Sequence, residues 1–339
     1  MRARSIAFFL KGLTYFPFGV RFCQFFPKRF FMLNFAYQEH VRSYYFDSRN
    51  QDFQFPPLTQ IEHADVCVIG AGFFGLSAAL ELAEKGKKVI VLEGARVGFG
   101  ASGRSGGQAI NGFEEGIDEY VKQVGEDKAH KLWNMSLETI DIIDERIEKY
   151  SIQCDWKKGY ATLALNERRM DDLIEMEKES HKNFGYQNMQ LWDKPELKQH
   201  LGSDIYVGGL FDSNSGHLHP LNYCLGLAKA CVDLGVQIFE QSPVVDMVEK
   251  NGCIEVKTAK SAVISQDVIL ATNAYIDALP KSIHHGINRK ILPVESFIIA
   301  TEPLSQAVAD SIINNGMSVC DNNLLLDYYR LSADNRLLF

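Results

Sequence analysis

Three glycines and one acidic residue occupy positions that would let the chain bind a dinucleotide. Gly70, Gly72 and Gly75 stand in G-x-G-x-x-G register, and Glu93 follows 23 residues after the first of them. The first glycine permits a tight turn, the second lets the backbone approach a pyrophosphate, and the third lets helix and strand pack closely. Glu93 can accept hydrogen bonds from ribose hydroxyls. The spacing therefore predicts dinucleotide binding.

A second glycine-rich segment, residues 95–108, follows Glu93. It contains five glycines and two arginines in fourteen positions. Such a segment lets the backbone run close to a large planar ligand and supplies many N–H donors. A nicotinamide dehydrogenase rarely needs a second glycine-rich loop here, so the segment favours FAD over NAD. A flexible surface loop is the alternative interpretation.

On these and three further segments, the chain resembles a known family. It is similar to the FAD-dependent oxidoreductases of the D-amino-acid oxidase, glycine oxidase and sarcosine oxidase superfamily, and within them to the bacterial gamma-glutamylputrescine oxidases. The resemblance covers about residues 40–339. The matching segments are VIGAGFFGLSAALELAEKGKKVIVLE (68–93), RVGFGASGRSGGQ (96–108), SGHLHPLN (215–222), ATNAY (271–275) and DYYRLSADNRLLF (327–339).

The resemblance implies an α/β (α+β) fold with a Rossmann-like FAD-binding domain and a discontinuous, sheet-based substrate domain. It implies oxidation of a C–N bond of an amine or amino acid, with gamma-glutamylputrescine the expected substrate. Hydride transfer to flavin N5, hydrolysis of the imine and reoxidation by oxygen would give hydrogen peroxide. A small-molecule amine and oxygen are thus the expected partners. We expect non-covalent FAD, because no cysteine stands out as an attachment point.

The resemblance also implies which residues hold the cofactor. The three glycines would hold the pyrophosphate and Glu93 the ribose. Val245 would approach the adenine through its backbone, and Thr272 would close the pocket by the pyrophosphate. The residues expected at the ring end of the flavin are Ser102, Gly103, Arg104, Gly106, Gly107 and Gln108.

Four residues are candidates for the reaction itself. Because FAD supplies the bond chemistry, the protein must hold the amine neutral and place its carbon against the flavin. His217 and His219 are titratable candidates; alternatively they are a hydrogen-bonded pair that caps the helix beginning near Pro220. Tyr329 and Arg330 are candidates for the substrate pocket. Arg330 would pair with a substrate carboxylate, or else belong to a structural ion pair.

The elements that must position these residues follow from hydrophobic periodicity. Residues 65–69 and 88–92 are predicted strands that flank a helix over 76–85. Further predicted helices span 167–183 and the segment after Pro220, and most of 113–151 is predicted helical. The remaining predicted strands are 159–165, 205–211, 237–240, 244–248, 254–258, 262–265, 267–272, 291–301 and 323–329. Residues 212–220 are predicted to form a loop, and Asn251-Gly252 a hairpin turn.

Domain boundaries and the two ends of the sequence are also predicted. The FAD domain is assigned to 61–150 and 212–275, and the substrate domain to 151–211 and 276–339. Residues 32–60 form an arm. Residues 1–31 are basic and rich in phenylalanine, and we interpret them as an extension outside the fold. A membrane-surface arm and a transit-like peptide are the alternatives.

The resembled family carries a further C-terminal glycine-rich loop and a final helix. A sequence ending at Phe339 therefore predicts a truncated product or an incomplete record. A non-catalytic remnant with weak or no FAD binding is a second hypothesis, and an NAD-linked dehydrogenase is a third.

Composition narrows the remaining classes. The 339 residues carry a formal net charge of −8, which disfavours nucleic-acid binding. Seven cysteines without a CxxC pair indicate reduced thiols, and a cytoplasmic location is expected. No His/Cys cluster has metal-ligand spacing, so no metal is expected.

Overall fold

The structure is a computed structural model, and it describes residues 38–113, 117–284 and 286–339. The predictions for residues 1–31, including membrane contact, lie outside the described residues. The helices are α1 Tyr44–Asp47, α2 Phe73–Glu84, α3 Ile117–Val124, α4 Glu126–Lys149, α5 Glu167–Phe184, α6 Lys194–Leu197, α7 Pro220–Asp233, α8 Lys281–His284 and α9 Gln306–Ile312.

The strands form two sheets. They are β1 Glu62–Ile69, β2 Val89–Leu92, β3 Gln108–Ala109, β4 Lys157–Ala164, β5 Met189–Asp193, β6 Gly208–His217, β7 Gln237–Phe239, β8 Val244–Lys250, β9 Cys253–Thr258, β10 Ala262–Leu270, β11 Ser318–Asp321, β12 Tyr328–Leu331 and β13 Leu337–Leu338. Helices interleaved with a largely parallel sheet confirm the predicted α/β class.

The first sheet brings the predicted cofactor-binding turns to one edge. Its strand order is β7-β2-β1-β10-β9-β8, in which the first four strands are parallel and the last two antiparallel. Ile69 lies opposite Leu92 on one side and Leu270 on the other. The carboxyl ends of three parallel strands therefore meet at one edge, where ligands bind in open α/β sheets. Gly70 and Glu93 are the next residues of the first two strands.

Helices α2 and α7 pack together and share a core with this sheet. In α2, Leu76, Ala79 and Leu80 are fully buried, as the helical spacing predicts. Each fully buried leucine stabilises the fold by about 1.5–3 kcal/mol. In α7, Leu221 and the next nine residues are buried with one exception, whereas Val232 is exposed. Helix α7 is buried on most of its faces, and the glycine-rich loop packs against it.

The second sheet has the strand order β13-β12-β11-β4-β6-β3, and β5 also pairs with β6. Strands β11 and β4 are parallel, and the other pairs are antiparallel. Gln108 at the end of the glycine-rich loop lies opposite His217 of β6. This pairing joins the predicted flavin loop to the second sheet.

The loop predicted over 212–220 is wrong for its first six residues, which continue β6. Asp212 lies opposite Tyr160 of β4 and Met189 of β5. Its carboxylate accepts hydrogen bonds from the hydroxyls of Tyr186 (2.7 Å) and Ser215 (2.7 Å). Pairing on both sides satisfies polar residues that alone favour a turn. The domain boundary predicted at 212 falls inside this strand, and the division into two domains stays a prediction.

Three other strand predictions differ from the structure. Residues 262–265 and 267–272 are parts of one strand, β10, which ends at Leu270. The strand predicted over 291–301 is wrong, because only its C-terminal end pairs within the described structure. There Ile299 and Thr301 form backbone hydrogen bonds with Phe339 and Leu337, and Ala300 forms an isolated bridge with Leu338. Within the strand predicted over 323–329, pairing with a neighbouring strand begins only at Tyr328, and Leu324 is 93% exposed.

Three properties of the described residues concern membrane insertion, metal binding and the state of the thiols. No helix among them is both long and apolar enough to cross a membrane. Within those residues no group of three His, Cys, Asp or Glu side chains is placed to hold a metal ion. The described cysteines are free thiols, and burial raises the pKa of Cys67 and Cys154 to about 12.

Candidate functional site

The turn after β1 has a backbone that only glycine accommodates. Gly70 has φ +111° and donates its N–H to the carbonyl of Leu92 at 2.8 Å. A Cβ at Gly75 would overlap the carbonyl oxygen of Gly70, so glycine there lets α2 approach β1. Gly72 is the N-cap of α2 and has no side chain to cap that helix end, where Ser102 Oγ accepts one N–H, that of Phe73. These features match the predicted pyrophosphate turn, because the other N–H groups at the N-terminus of α2 attract anions.

Glu93 fixes the turn as well as offering acceptors to a ribose. Its two carboxylate oxygens accept the backbone N–H of Ala71 at 2.8 Å and of Ala95 at 2.9 Å. Burial raises the pKa of Glu93, and these two N–H donors oppose that rise. Each oxygen retains a lone pair for a ribose hydroxyl. Sequence reasoning assigned Glu93 to the ribose alone and did not predict that its carboxylate also fixes the turn.

The glycine-rich loop, residues 95–108, packs against α7 and against itself. A Cβ at Gly103 would overlap the carbonyl oxygen of Gly98, and one at Gly107 (φ +76°) would overlap that of Leu218. Ser102 Oγ accepts the N–H of Phe73, the first residue of α2, at 3.0 Å. The loop is therefore packed rather than free at the surface, which disfavours the flexible-loop interpretation.

Several predicted FAD contacts have polar groups without a partner in the described structure. The buried Nε and Nη2 of Arg104 and the buried Oγ1 of Thr272 have no hydrogen-bond partner. Val245 is the extra residue of a β-bulge, because Val244 and Asp246 lie opposite adjacent residues of β9. A buried unsatisfied donor costs about 1–3 kcal/mol, so these atoms favour a ligand rich in acceptors. Together with the glycine turn, they fit FAD.

His219 serves as a helix cap, as the structural alternative predicted. Its Nδ1 accepts the N–H of Asn222 at 3.1 Å at the N-terminus of α7. Its Nε2 therefore carries the proton, and it lies 3.0 Å from Ser48 Oγ. Burial lowers the pKa of His219 to about 4. Both nitrogens are engaged, so this ring is no proton acceptor.

His217 does not cap the helix. Its Nε2 lies 2.9 Å from the carbonyl oxygen of Gly316, which can only accept, so Nε2 donates. Nδ1 is then an unprotonated nitrogen, and it is buried without a hydrogen-bond partner among the residues that the structure describes. Burial, with Arg330 nearby, lowers the pKa of His217 to about 4. Of the two histidines, only His217 retains a free ring nitrogen.

Arg330 is buried, with 4% of its surface exposed, and its partners are neutral oxygens. Nε donates to the carbonyl of Gly106 at 2.7 Å, and Nη2 donates to the carbonyl of Leu218 at 3.0 Å and to the hydroxyl of Tyr45 at 3.2 Å. No carboxylate among the described residues pairs with it, so these contacts disfavour the structural ion pair proposed for Arg330. Three of its five N–H groups are used, and both remaining ones are on Nη1.

Tyr329 and Arg330 point to opposite faces of β12, since successive strand side chains alternate. Tyr329 packs with Tyr206 and the core of the second sheet, and burial raises its pKa well above the ordinary range. Tyr328 shares the face of Arg330, and a Cβ at Gly106 would meet its ring at 3.0 Å. Sequence reasoning missed Tyr328, although strand alternation was an available signal.

A small pocket lies between the C-terminal end of the glycine-rich loop and β12. Arg330 is its only charged lining residue among the described part of the chain. Gln108 is fixed at this site, because its Nε2 donates to the carbonyl of Val319 at 3.1 Å. Its lining residues are Gly106, Gln108, Ile298, Tyr328, Tyr329, Arg330, Leu338 and Phe339.

Comparison with known proteins agrees with this site. Residues 65–339 match the family described as "DAO: FAD dependent oxidoreductase". The chain is 98% identical over 308 residues to "Probable oxidoreductase OrdL" of Haemophilus influenzae, covering 91% of this chain and 72% of that protein. It is 41% identical over 301 residues to "Gamma-glutamylputrescine oxidoreductase" of Escherichia coli, covering 89% of this chain and 70% of that one.

The fold agrees as well. Glycine oxidase from Geobacillus kaustophilus superposes with a TM-score of 0.61 at 20% identity, covering 82% of this chain and 70% of that chain. The predicted D-amino-acid-oxidase-like fold and the FAD cofactor are thereby confirmed, and the NAD-linked hypothesis is wrong. The chain belongs to the DAO family of FAD-dependent oxidoreductases, which act on amines or amino acids.

Proposed function

We propose that this chain oxidises the C–N bond of an amine that has no carboxylate on the reacting carbon, with gamma-glutamylputrescine as the substrate. The identity of 41% to a gamma-glutamylputrescine oxidoreductase supports the substrate. FAD held by the glycine turn, Glu93 and the glycine-rich loop would supply the hydride-accepting chemistry. Oxygen is the proposed final acceptor, which gives hydrogen peroxide.

The hydrogen bonds of Arg330 carry this proposal. A carboxylate is recognised by two parallel N–H groups on two nitrogens of one guanidinium. In Arg330, Nε and both Nη2 hydrogens are already donated to Gly106, Leu218 and Tyr45. No such pair remains for an α-carboxylate. Two-nitrogen pairing of Arg330 with a substrate carboxylate, predicted for one such as a gamma-glutamyl group brings, is therefore disfavoured, whereas an amine end needs no such partner.

The remaining lining favours an uncharged or aromatic contact. Tyr328 presents a ring beside Gly106, and Ile298 and Leu338 add apolar surface. The low pKa of His217, about 4, keeps this buried ring neutral near pH 7, so it adds no charge beside Arg330. The chain's own residues thus hold the loop end at Gly106 and Gln108 and line the pocket mostly with uncharged groups.

Anaerobic reduction of the FAD-loaded full chain tests this proposal. We expect gamma-glutamylputrescine to bleach the visible flavin absorbance, and a peroxidase-coupled assay in air to detect hydrogen peroxide. Putrescine and ornithine form a matched pair that differs by one α-carboxylate. We expect putrescine to reduce the flavin at least about tenfold faster than ornithine, the cost of one unpaired buried charge. Equal rates, or faster bleaching by ornithine or glycine, would refute the amine assignment.

A further inference from the structure

The arm that precedes β1 is linked to the glycine-rich loop directly at one end of the loop and through Arg330 at the other. The described part of this arm, residues 38–60, lies outside residues 65–339, which match the FAD-dependent family. The G-x-G-x-x-G motif does not require this arm. Its contacts nevertheless converge on the backbone that has to meet the flavin.

At the first end of the loop, the arm holds Arg96 and Val97. The guanidinium of Arg96 donates to both carboxylate oxygens of Glu39, at 2.5 and 2.8 Å. His40 Nε2 donates to the carbonyl of Val97 at 3.1 Å. Buried Glu240 joins the same segments, because it accepts the N–H of Val97 at 2.7 Å and of Phe55 at 3.1 Å. Arm and loop are thus linked both directly and through one carboxylate.

At the second end, the arm acts through Arg330. Tyr45 is 5% exposed, and its ring meets that of His219 edge-on at a centroid distance of 5.0 Å. Its hydroxyl accepts from Nη2 of Arg330, while Nε of the same guanidinium donates to the carbonyl of Gly106. A single side chain therefore connects the arm to the glycine beside the pocket.

We infer that the arm is part of the cofactor-binding machinery, and that Tyr45 is a positioning residue that fixes Gly106 through Arg330. Glycines lose more backbone freedom on ordering than any other residue. A loop with five of them binds FAD weakly unless another element orders it beforehand. The arm supplies that order from both ends. The inference concerns FAD binding and is independent of which amine is oxidised.

Tyr45→Phe in the full chain tests the inference, with Tyr44→Phe as the matched control. Phenylalanine keeps the buried ring and removes only the hydroxyl that accepts from Arg330. The hydroxyl of Tyr44 lies against Ser332 and Asp334 instead. Quenching of FAD fluorescence by the apoprotein gives the Kd. We expect about a tenfold rise for Tyr45→Phe, the effect of losing a hydrogen bond to a charged group, and none for Tyr44→Phe.

Two further readouts separate positioning from general stability. Hydrogen exchange of residues 100–108 in the apoprotein should speed up in Tyr45→Phe, and the visible spectrum of the bound flavin should shift. If Tyr45→Phe does not fold, Glu39→Gln replaces it as the test of the arm. The Glu39 side chain is 63% exposed and contacts the other end of the loop. It should raise the Kd about twofold. Unchanged Kd and exchange in the arm variants, or equal changes in Tyr44→Phe, would overturn the inference.

Discussion

Replacing Glu240 by glutamine tests whether one buried carboxylate holds the start of the glycine-rich loop. Glu240 is 1% exposed. One of its oxygens accepts the N–H of Val97, and the other accepts Nη1 of Arg96 at 2.7 Å and the N–H of Phe55. A glutamine has one acceptor oxygen and one donor group. In its best orientation the oxygen faces Arg96 and Phe55, and the amide nitrogen faces the N–H of Val97.

The cost follows from these contacts. One buried N–H loses its acceptor, which costs about 1–3 kcal/mol. Arg96 also loses a buried negative partner, but it keeps Glu39, so this part is about 1 kcal/mol rather than the 3–5 kcal/mol of a fully broken buried pair. We therefore expect Glu240→Gln to lower the free energy of unfolding by about 3 kcal/mol. Glu240→Ala should cost more, because it leaves three donors unpaired.

Equilibrium urea unfolding of the apoprotein measures this loss. Glu39→Gln is the matched control, because it removes the exposed partner of the same arginine and should cost less than about 1 kcal/mol. FAD titration of the folded variants should show weaker binding for Glu240→Gln. The structural reasoning fails if Glu240→Gln lies within about 0.5 kcal/mol of the parent chain, which is the range of ordinary surface substitutions.

The glycine turn and the buried histidines provide two further tests. Gly75→Ala should destabilise the fold by about 3 kcal/mol and abolish FAD binding, because its Cβ meets the backbone of Gly70; Gly86→Ala, with φ +77° and open space, should cost only about 1 kcal/mol in urea unfolding. His217 and His219 have pKa values near 4, below the 6.5 of an exposed histidine. The unfolded chain therefore binds protons that the folded chain does not, and stability should fall as pH drops from about 6.5 to 4, by about 3 kcal/mol per histidine. His219→Asn keeps the cap and should reduce this slope; an unchanged slope contradicts the assignment.

The sequence was most informative where the signal is local. The first strand, the glycine turn, α2 and the second strand were predicted within a few residues, because turn, periodicity and length all agree within thirty positions. The Asn251-Gly252 turn was predicted for the same reason, and both residues have positive φ. Such patterns need no knowledge of distant partners.

Predictions failed where pairing depends on a distant segment. Residues 212–217 carry turn-forming side chains, yet β4 and β5 hold them in a strand. Residues 291–301 have the composition of a strand, but most of them pair with no strand among the described residues, and Phe297 is 86% exposed. Composition gives the tendency to form a strand, whereas the ladder depends on which segments meet.

The same contrast between local sequence signals and distant partners holds for the site. Gly70, Gly72, Gly75 and Glu93 could be named from motif spacing, and the turn they form lies at the sheet edge where ligands bind in open α/β sheets. The other cofactor residues could be named only from the family resemblance, and their roles stay predictions. The partners of Arg330 could not be named, because Gly106, Leu218 and Tyr45 are brought to it by three different segments. Glu240 gave no motif signal at all. A lone acid between apolar residues and a turn was the only available hint of a buried carboxylate.

This division has a physical origin in the glycine-rich loop. A motif rich in glycine identifies the ligand, because only glycine lets the backbone approach it closely. The same glycines make the loop costly to order, so the motif does not by itself provide affinity. The ordering has to come from side chains outside the motif, and buried groups that bond to backbone serve best because their geometry is fixed. Glu240 and Arg330 are such groups at the two ends of the loop. It follows that cofactor identity and cofactor affinity depend on different residues, and that only the first can be predicted from the motif.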